Sequence, residues 1–155
     1  MVVQSLIGGV VNAAALVLVA FLLSRFAGEL TGRALLAIVL VVAGRAYLGF
    51  AVAGGASGAW VGAEFLQSIA LGVFALLGLR GSGWWLAAGW ALHPLWDVPL
   101  HYLGAGHAFA PAPWAIACLS FDLLVAAYLA VRALAHRTAP RETAAVPLAE
   151  DAIVR

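Results

Sequence analysis

Apolar residues fill five long stretches of the chain, and short turn-rich breaks separate them. Each stretch approaches the roughly 20 residues that an α-helix needs to cross the hydrocarbon core of a bilayer. The breaks are rich in glycine and polar residues, which favour turns. The pattern therefore predicts an all-α, polytopic membrane helix bundle with five transmembrane helices. The predicted spans are residues 2–24, 34–53, 59–79, 84–103 and 113–135.

The predicted organisation is one transmembrane helical domain followed by a polar tail. The domain covers residues 1–136, and the proline-containing segment 137–155 is predicted to be a disordered cytoplasmic tail. The N-terminus lacks the basic region and the cleavage site of a signal peptide, so the first span is expected to be a permanent helix.

Composition supports a lipid environment. Hydrophobic residues make up 65% of the 155 positions and charged residues only 10%, whereas about a quarter of the residues in a typical soluble domain are charged. So few charges cannot cover the surface of a soluble domain. A net charge of +1 without a basic stripe also argues against nucleic acid as a partner. The lone Cys118 excludes an intramolecular disulfide.

The arginines predict the orientation. With five spans, the first loop, the third loop and the C-terminal tail share one side, and every arginine except Arg45 lies there or at an adjoining helix end. Positive residues mark the cytoplasmic side, so the N-terminus is expected outside and the C-terminus inside. The expected location is the inner (plasma) membrane, as a multi-pass protein.

Ionisable residues inside the predicted spans are the most informative feature of the sequence. Such residues are costly in a bilayer unless they are paired, and they usually face a protein interior or a cavity. At about 1.5 Å per residue, their depths below the outer helix ends run from roughly 3 Å for His101 to roughly 15 Å for His93. Four helices therefore bring ionisable groups to the outer half of the bundle, with His101 expected near the headgroups. The residues are Arg45, Glu64, His93, Asp97, His101 and Asp122.

The stretch "GWALHPLWDVPLHYLG" carries a histidine, an aspartate and a second histidine at four-residue intervals. Residues four apart share a helix face, which is the spacing of helical metal-binding pairs. On a straight helix the two histidines are about 12 Å apart, so one ion would use one histidine together with carboxylates. Two prolines in the stretch can bend the helix and change this distance. The candidate ligands of a divalent ion, zinc first, are His93, Asp97, His101, Glu64 and Asp122.

Two interpretations of the buried charges remain open. Arg45 and Glu64 would form a buried ion pair that fixes helix packing. Three carboxylates against one arginine would still leave excess negative charge in a low dielectric, which protons or a bound cation must neutralise.

The segments "AYLGFAVAGG", "HPLWDVPLHY" and "CLSFDLL", with a lone membrane glutamate between the first two, resemble a family of small bacterial integral-membrane proteins of unknown function. The resemblance covers residues 34–133. The chain departs from the family pattern at "PLHY", where a histidine doublet is expected and only His101 is present. The matching positions are Tyr47, Glu64, His93, Trp96, Asp97, His101 and Asp122.

The first functional prediction is a metal-dependent or acid–base enzyme that acts on a lipid or isoprenoid-like substrate. Asp97, His93 and Glu64 are its candidate catalytic residues, because a metal-bound water or a buried carboxyl–histidine pair can perform hydrolysis. A small proton-coupled transporter that works as a homo-oligomer is the alternative, and a non-catalytic accessory subunit is the third. The candidate substrate-binding residues are Arg45, Tyr47 and Trp96.

Overall fold

A computed structural model describes residues 1–138 of the chain. These residues fold into five α-helices. A π-helix follows the fourth α-helix directly, and a short 3-10 helix precedes the fifth. The described residues contain no strand. Beyond residue 138 the predicted tail lies outside the described residues. The elements are α1 (Val2–Phe26), α2 (Glu29–Ala53), α3 (Gly58–Arg80), α4 (Gly83–Asp97), the π-helix (Val98–Tyr102), the 3-10 helix (Ala105–Ala108) and α5 (Ala112–Thr138).

Four of the helices, α1, α2, α3 and α5, are long and apolar enough to cross a membrane. The chain is therefore a membrane protein by the length and composition of these helices. Helix α4 has only 15 residues, but the π-helix extends the helical run without a break as far as Tyr102. That the fourth segment spans the bilayer stays a prediction.

The first break is shorter than the sequence suggested. The turn-rich segment 25–33 is almost entirely helical, and only Ala27 and Gly28 separate α1 from α2. Gly28 has a φ of 94°, a conformation that side-chain-bearing residues rarely adopt. This glycine lets the chain reverse within two residues, so both helices continue almost to the turn.

Two prolines shape the end of α4. The helix begins at a Ser82 cap, whose hydroxyl accepts a hydrogen bond from the backbone of Trp84. Pro94 lies inside the helix, and Pro99 lies in the first turn of the π-helix. Because proline has no N–H to donate, the regular α-helical bonding is interrupted here. The wider turn closes instead through a bond from the Leu103 N–H to the Val98 carbonyl.

The five helices form a closed ring in the order of the chain. Each helix packs against the next one, and α5 packs against α1 to close the ring. The apolar core lies at its centre and includes the fully buried Leu36, Leu40, Leu86, Trp90 and Val125. Side chains that point to the centre of such a ring are removed from lipid, which is where polar groups are expected.

A glycine allows α1 and α5 to approach each other closely. A Cβ at Gly9 of α1 would collide with the Ala117 carbonyl and the Ser120 hydroxyl of α5. The Ser120 hydroxyl also donates to the Leu6 carbonyl across the same contact. A Cβ at the neighbouring Gly8 would meet nothing. The close contact of α1 with α5 therefore depends on Gly9 and not on its neighbour Gly8.

We expect Gly9→Ala to destabilise the protein by about 1–3 kcal/mol, because the added methyl group overpacks the α1–α5 contact. The matched control Gly8→Ala should be neutral or stabilise the helix by up to about 1 kcal/mol. Unfolding of the two purified variants in a denaturing detergent measures both effects. Equal effects at the two positions would contradict this packing.

Candidate functional site

Ionisable side chains from three helices and the π-helix meet inside the ring. Glu64 of α3, His93 and Asp97 of α4, His101 of the π-helix and Asp122 of α5 are at most 1% exposed. Together they occupy the end of the bundle at which α2 ends and α3 begins. The structure thus brings together five of the six ionisable residues that are predicted from the sequence to lie in the outer half of the bundle, and Arg45 is the exception.

His93, Asp97 and Asp122 form the first of two groups, which we call the three-ligand cluster. His93 Nδ1 is 2.9 Å from Asp122 Oδ2, within hydrogen-bond distance. His93 Nε2 lies 3.5 Å from Asp97 Oδ1, four residues along the same helix. One ligand atom from each of the three residues lies within 4.8 Å of the others. This is a set of one imidazole and two carboxylates in a dry environment.

Most polar atoms of the three-ligand cluster have no hydrogen-bond partner in the protein. These atoms are His93 Nε2, both carboxylate oxygens of Asp97 and Asp122 Oδ1. A buried polar group without a partner is costly, and a buried charge more so. The cluster is therefore chemically suited to receive a cation or a polar group of a ligand.

One edge of the cluster has the length expected around a small divalent ion, within a set of ligand atoms that lie up to 4.8 Å apart. In a tetrahedral zinc site with bonds of about 2.1 Å, neighbouring ligand atoms are about 3.4 Å apart. The observed 3.5 Å between His93 Nε2 and Asp97 Oδ1 matches this edge. The hydrogen bond from Nδ1 of the same ring to Asp122 is the kind of contact that orients a ligating histidine.

The second group consists of Glu64, His101 and Trp96. His101 Nε2 is 3.0 Å from Glu64 Oε1, and the Trp96 indole N–H lies 3.3 Å and 3.4 Å from the two oxygens of the same carboxylate. Both oxygens of Glu64 therefore have partners, unlike those of Asp97. Glu64 and His101 were candidate ligands together with His93, but they lie in this separate group.

Tyr47 of α2 lies between the two groups and is fully buried. Its ring stacks on His101, with centroids 4.2 Å apart, and meets the edge of His93 at 5.9 Å. The Tyr47 hydroxyl is a neighbour of the Asp97 carboxylate, although no hydrogen bond within the protein satisfies it. One aromatic ring thus connects the three-ligand cluster with the Glu64–His101 pair.

The loop after the π-helix folds back and covers the side chain of His101. Phe109 and Trp60 pack on the imidazole, with ring centroids 5.6 Å and 6.0 Å away. A Cβ at Gly106 would collide with the His101 ring, so only glycine allows the loop to lie this close. His101 is therefore enclosed by protein and does not face the headgroups, while its depth in a bilayer stays a prediction. Depth along a straight helix takes no account of a loop that covers the helix end.

Arg45 does not join the site. Its side chain is exposed on the outside of the ring, beside a groove between α2 and α3. Glu64 pairs with His101 instead, and no contact in the described part of the chain joins it to Arg45. Arg45 and Tyr47 are two residues apart, about 200° around the helix, so the two face opposite sides. The predicted Arg45–Glu64 ion pair is wrong.

Two grooves on the outside of the bundle reach the site, and few features of the sequence indicate them. A groove of about 300 Å³ between α1, α2 and α5 ends at Cys118 and Asp122. Another of about 440 Å³ between α3 and α4 reaches Gln67, His93 and Trp96. The four-residue spacing of Cys118 and Asp122, which places them on one helix face, is the only sequence signal for the first groove.

Long apolar helices surround a buried polar cluster, and their length and composition define a membrane protein. Residues 8–135 match the model of a family of unknown function, DUF6010, and the chain belongs to this family. The predicted resemblance to membrane proteins of unknown function is thereby confirmed, and every residue of both groups lies within the match. No curated protein and no solved structure is significantly similar to the chain.

A double-mutant cycle tests the partner of Glu64. For Glu64→Gln with His101→Gln we expect a coupling energy of about 1–3 kcal/mol, because the pair is buried and hydrogen-bonded. The same cycle with Arg45→Gln in place of the histidine variant serves as the control and should give a coupling near zero. Unfolding free energies of the single and double variants measure both. A large coupling with Arg45 would contradict the arrangement.

Proposed function

We propose that the chain is an intramembrane enzyme whose three-ligand cluster holds a divalent metal ion and whose substrate is a lipid or isoprenoid-like molecule. One observation carries the proposal: His93, Asp97 and Asp122 are fully buried within ligand distance of one another, and most of their polar atoms lack partners. A purely structural cluster would be expected to satisfy its own carboxylate oxygens, as both oxygens of Glu64 are satisfied.

Charge balance supports a cation in the cluster. Three carboxylates, Glu64, Asp97 and Asp122, share the interior with two histidines, while Arg45 lies outside. Even with both histidines protonated, one negative charge would remain in a low dielectric. A divalent ion, or protons on the carboxyl groups, must neutralise it. The three residues offer a divalent ion one imidazole nitrogen and two carboxylate oxygens, a set of ligands that zinc accepts.

The chemistry of such a site is hydrolytic or acid–base. Three protein ligands leave a position for water, which the ion would activate as a nucleophile. The Glu64–His101 pair lies on the other side of Tyr47 and offers a carboxyl and an imidazole for proton transfer. In this proposal His93, Asp97 and Asp122 hold the ion, and Glu64 and His101 exchange protons with the substrate.

The substrate class follows from the surroundings of the site. Two of the helices that carry it, α3 and α5, are long and apolar enough to cross a bilayer, and the grooves that reach it lie between helices and have mostly apolar walls. A water-soluble substrate would have to leave water to enter them, whereas a lipid is already there. The candidate substrate-binding residue Trp96 lines the groove between α3 and α4.

Proton-coupled transport is the second candidate, and the position of Tyr47 favours it. Two buried histidine–carboxylate pairs, joined by one tyrosine, form a series of groups that can pass protons. Five helices are few for a carrier, so this function would require a homo-oligomer.

Metal analysis separates these functions. We expect purified wild-type protein to contain about one divalent ion per chain, and Asp97→Asn to lose it, because the variant keeps the shape of the side chain but not its charge. Glu64→Gln is the matched control and should keep the ion, since Glu64 lies outside the cluster. Elemental analysis gives the ratio, and circular dichroism checks that each variant folds. Equal metal content in wild type and Asp97→Asn would rule out this site, and no metal in either would leave acid–base chemistry, transport or an accessory role.

We further propose that the end of the bundle opposite the site is cytoplasmic. Arg33 donates to the carbonyls of Gly78 and Gly81, and Arg132 lies 3.9 Å from Glu29. These arginines gather at one end of the ring, which the positive-inside rule assigns to the cytoplasm. The site would then lie toward the outer face of the inner (plasma) membrane.

A reporter that is active only in the cytoplasm, fused to the C-terminus, should be active. The same reporter inserted in the loop at residues 104–111 should be inactive, because that loop would face outside. The opposite pattern would invert the orientation of the site without changing its geometry.

A further inference from the structure

We propose that the groove between α1, α2 and α5 binds a lipid alcohol with one hydrocarbon chain, and that the hydroxyl group of this lipid pairs with Asp122. The inference deepens the proposed function, and it rests on that function for its catalytic meaning. It names both the substrate class and the side of the bundle from which the substrate enters.

The walls of this groove are apolar and face the bilayer. Val39, Val42 and Ala43 of α2 lie opposite Ala117 and Phe121 of α5. Val42 is 61% exposed, so the groove is open to lipid rather than enclosed. Its volume of about 300 Å³ is at the lower end of the usual range for ligand pockets. A groove of this size fits one hydrocarbon chain better than the two chains of a phospholipid.

A single carboxylate lies at the inner end of the groove. Asp122 lines it and is 1% exposed. One of its oxygens is hydrogen-bonded to His93, while the other, Oδ1, has no partner within the protein. A hydroxyl group can both donate and accept a hydrogen bond, so it can pair with Oδ1 whether Asp122 is ionised or protonated.

A second polar side chain lines the same groove. Asn12 of α1 is exposed, and its amide nitrogen donates to the Gly8 carbonyl of its own helix. An amide at such a position is costly in hydrocarbon unless it has partners. A lipid with a polar end can supply one, whereas a pure hydrocarbon cannot.

The groove between α3 and α4 fits this role less well. It reaches His93, but both nitrogens of that ring face carboxylates, Nδ1 toward Asp122 and Nε2 toward Asp97. In the proposed site Nε2 would hold the ion and Nδ1 is bonded to Asp122, so the ring offers neither nitrogen to a hydroxyl in that groove. The groove between α1, α2 and α5 is instead lined by Asp122, whose Oδ1 has no partner within the protein, so a hydroxyl bound to this carboxylate would lie beside the proposed metal.

Photolabelling of the full chain in lipid nanodiscs tests the inference. The probe is dodecanol with a photoactivatable diazirine in its chain, and mass spectrometry maps the labelled residues. We expect labelling to concentrate on Val39, Ala43 and Ala117, and unlabelled dodecanol to compete while dodecane does not. Labelling spread evenly over lipid-facing positions such as Leu18 and Val131, or equal competition by dodecane, would overturn the proposal.

Three variants sharpen the test. Asp122→Leu removes the acceptor, and competition by dodecanol should weaken about tenfold, the effect of losing one hydrogen bond to a carboxylate. Ala43→Phe fills the groove and should abolish the specific labelling without touching the cluster. The matched control Ala63→Phe places the same ring in the groove between α3 and α4 and should change nothing. If Ala63→Phe abolishes labelling and Ala43→Phe does not, the ligand binds on the other side of the bundle.

The outcome is separate from that of the metal analysis. Specific labelling of a protein without metal would support the lipid-binding groove and contradict the metal-dependent enzyme. Evenly spread labelling of a protein that contains metal would support the metal site and contradict the groove.

Discussion

The pairing of buried histidines with buried carboxylates is the interaction on which the rest of the structure depends. An unpaired carboxylate inside an apolar bundle costs several kcal/mol, so Asp122 and Glu64 need the imidazoles that reach them. The bond from His93 to Asp122 joins α4 to α5, and the bond from His101 to Glu64 joins the π-helix to α3. The contacts that satisfy the charges therefore also hold the shortest α-helix of the ring in place.

The two pairs differ in how many carboxylate oxygens around them lack hydrogen-bond partners. This difference distinguishes a group suited to bind a ligand from one that stabilises helix packing. Around Glu64, the imidazole and an indole N–H use both carboxylate oxygens. Around His93, both oxygens of Asp97 and one of Asp122 remain without partners. Hydrogen bonds to these atoms would stabilise the fold, because each buried polar atom without a partner lowers its stability. Two residues of the cluster, His93 and Asp122, also line grooves on the outside of the bundle.

The prolines of the fourth segment connect local sequence to this arrangement. Pro99 cannot donate a backbone hydrogen bond, and the chain adopts a π-helical turn at this point. Asp97 and His101, four residues apart, lie on the same inner face across this turn, and both are fully buried. The sequence predicted a distortion here from the prolines. It did not indicate that the following loop, through Gly106, would fold back and bury His101.

Hydropathy by itself determined the class of this protein, because four of its helices must be continuous and apolar to lie in lipid. The cost of intramembrane charge similarly determined that Glu64, His93, Asp97 and Asp122 face inward together. The tertiary structure alone decided which partner each of them has. Arg45 was an equally good partner for Glu64 by depth and charge, yet it lies outside the ring while Tyr47 lies inside. Partner choice depends on how far each helix is rotated about its axis against its neighbours, and a span that is apolar on every side carries no periodic pattern that specifies this rotation.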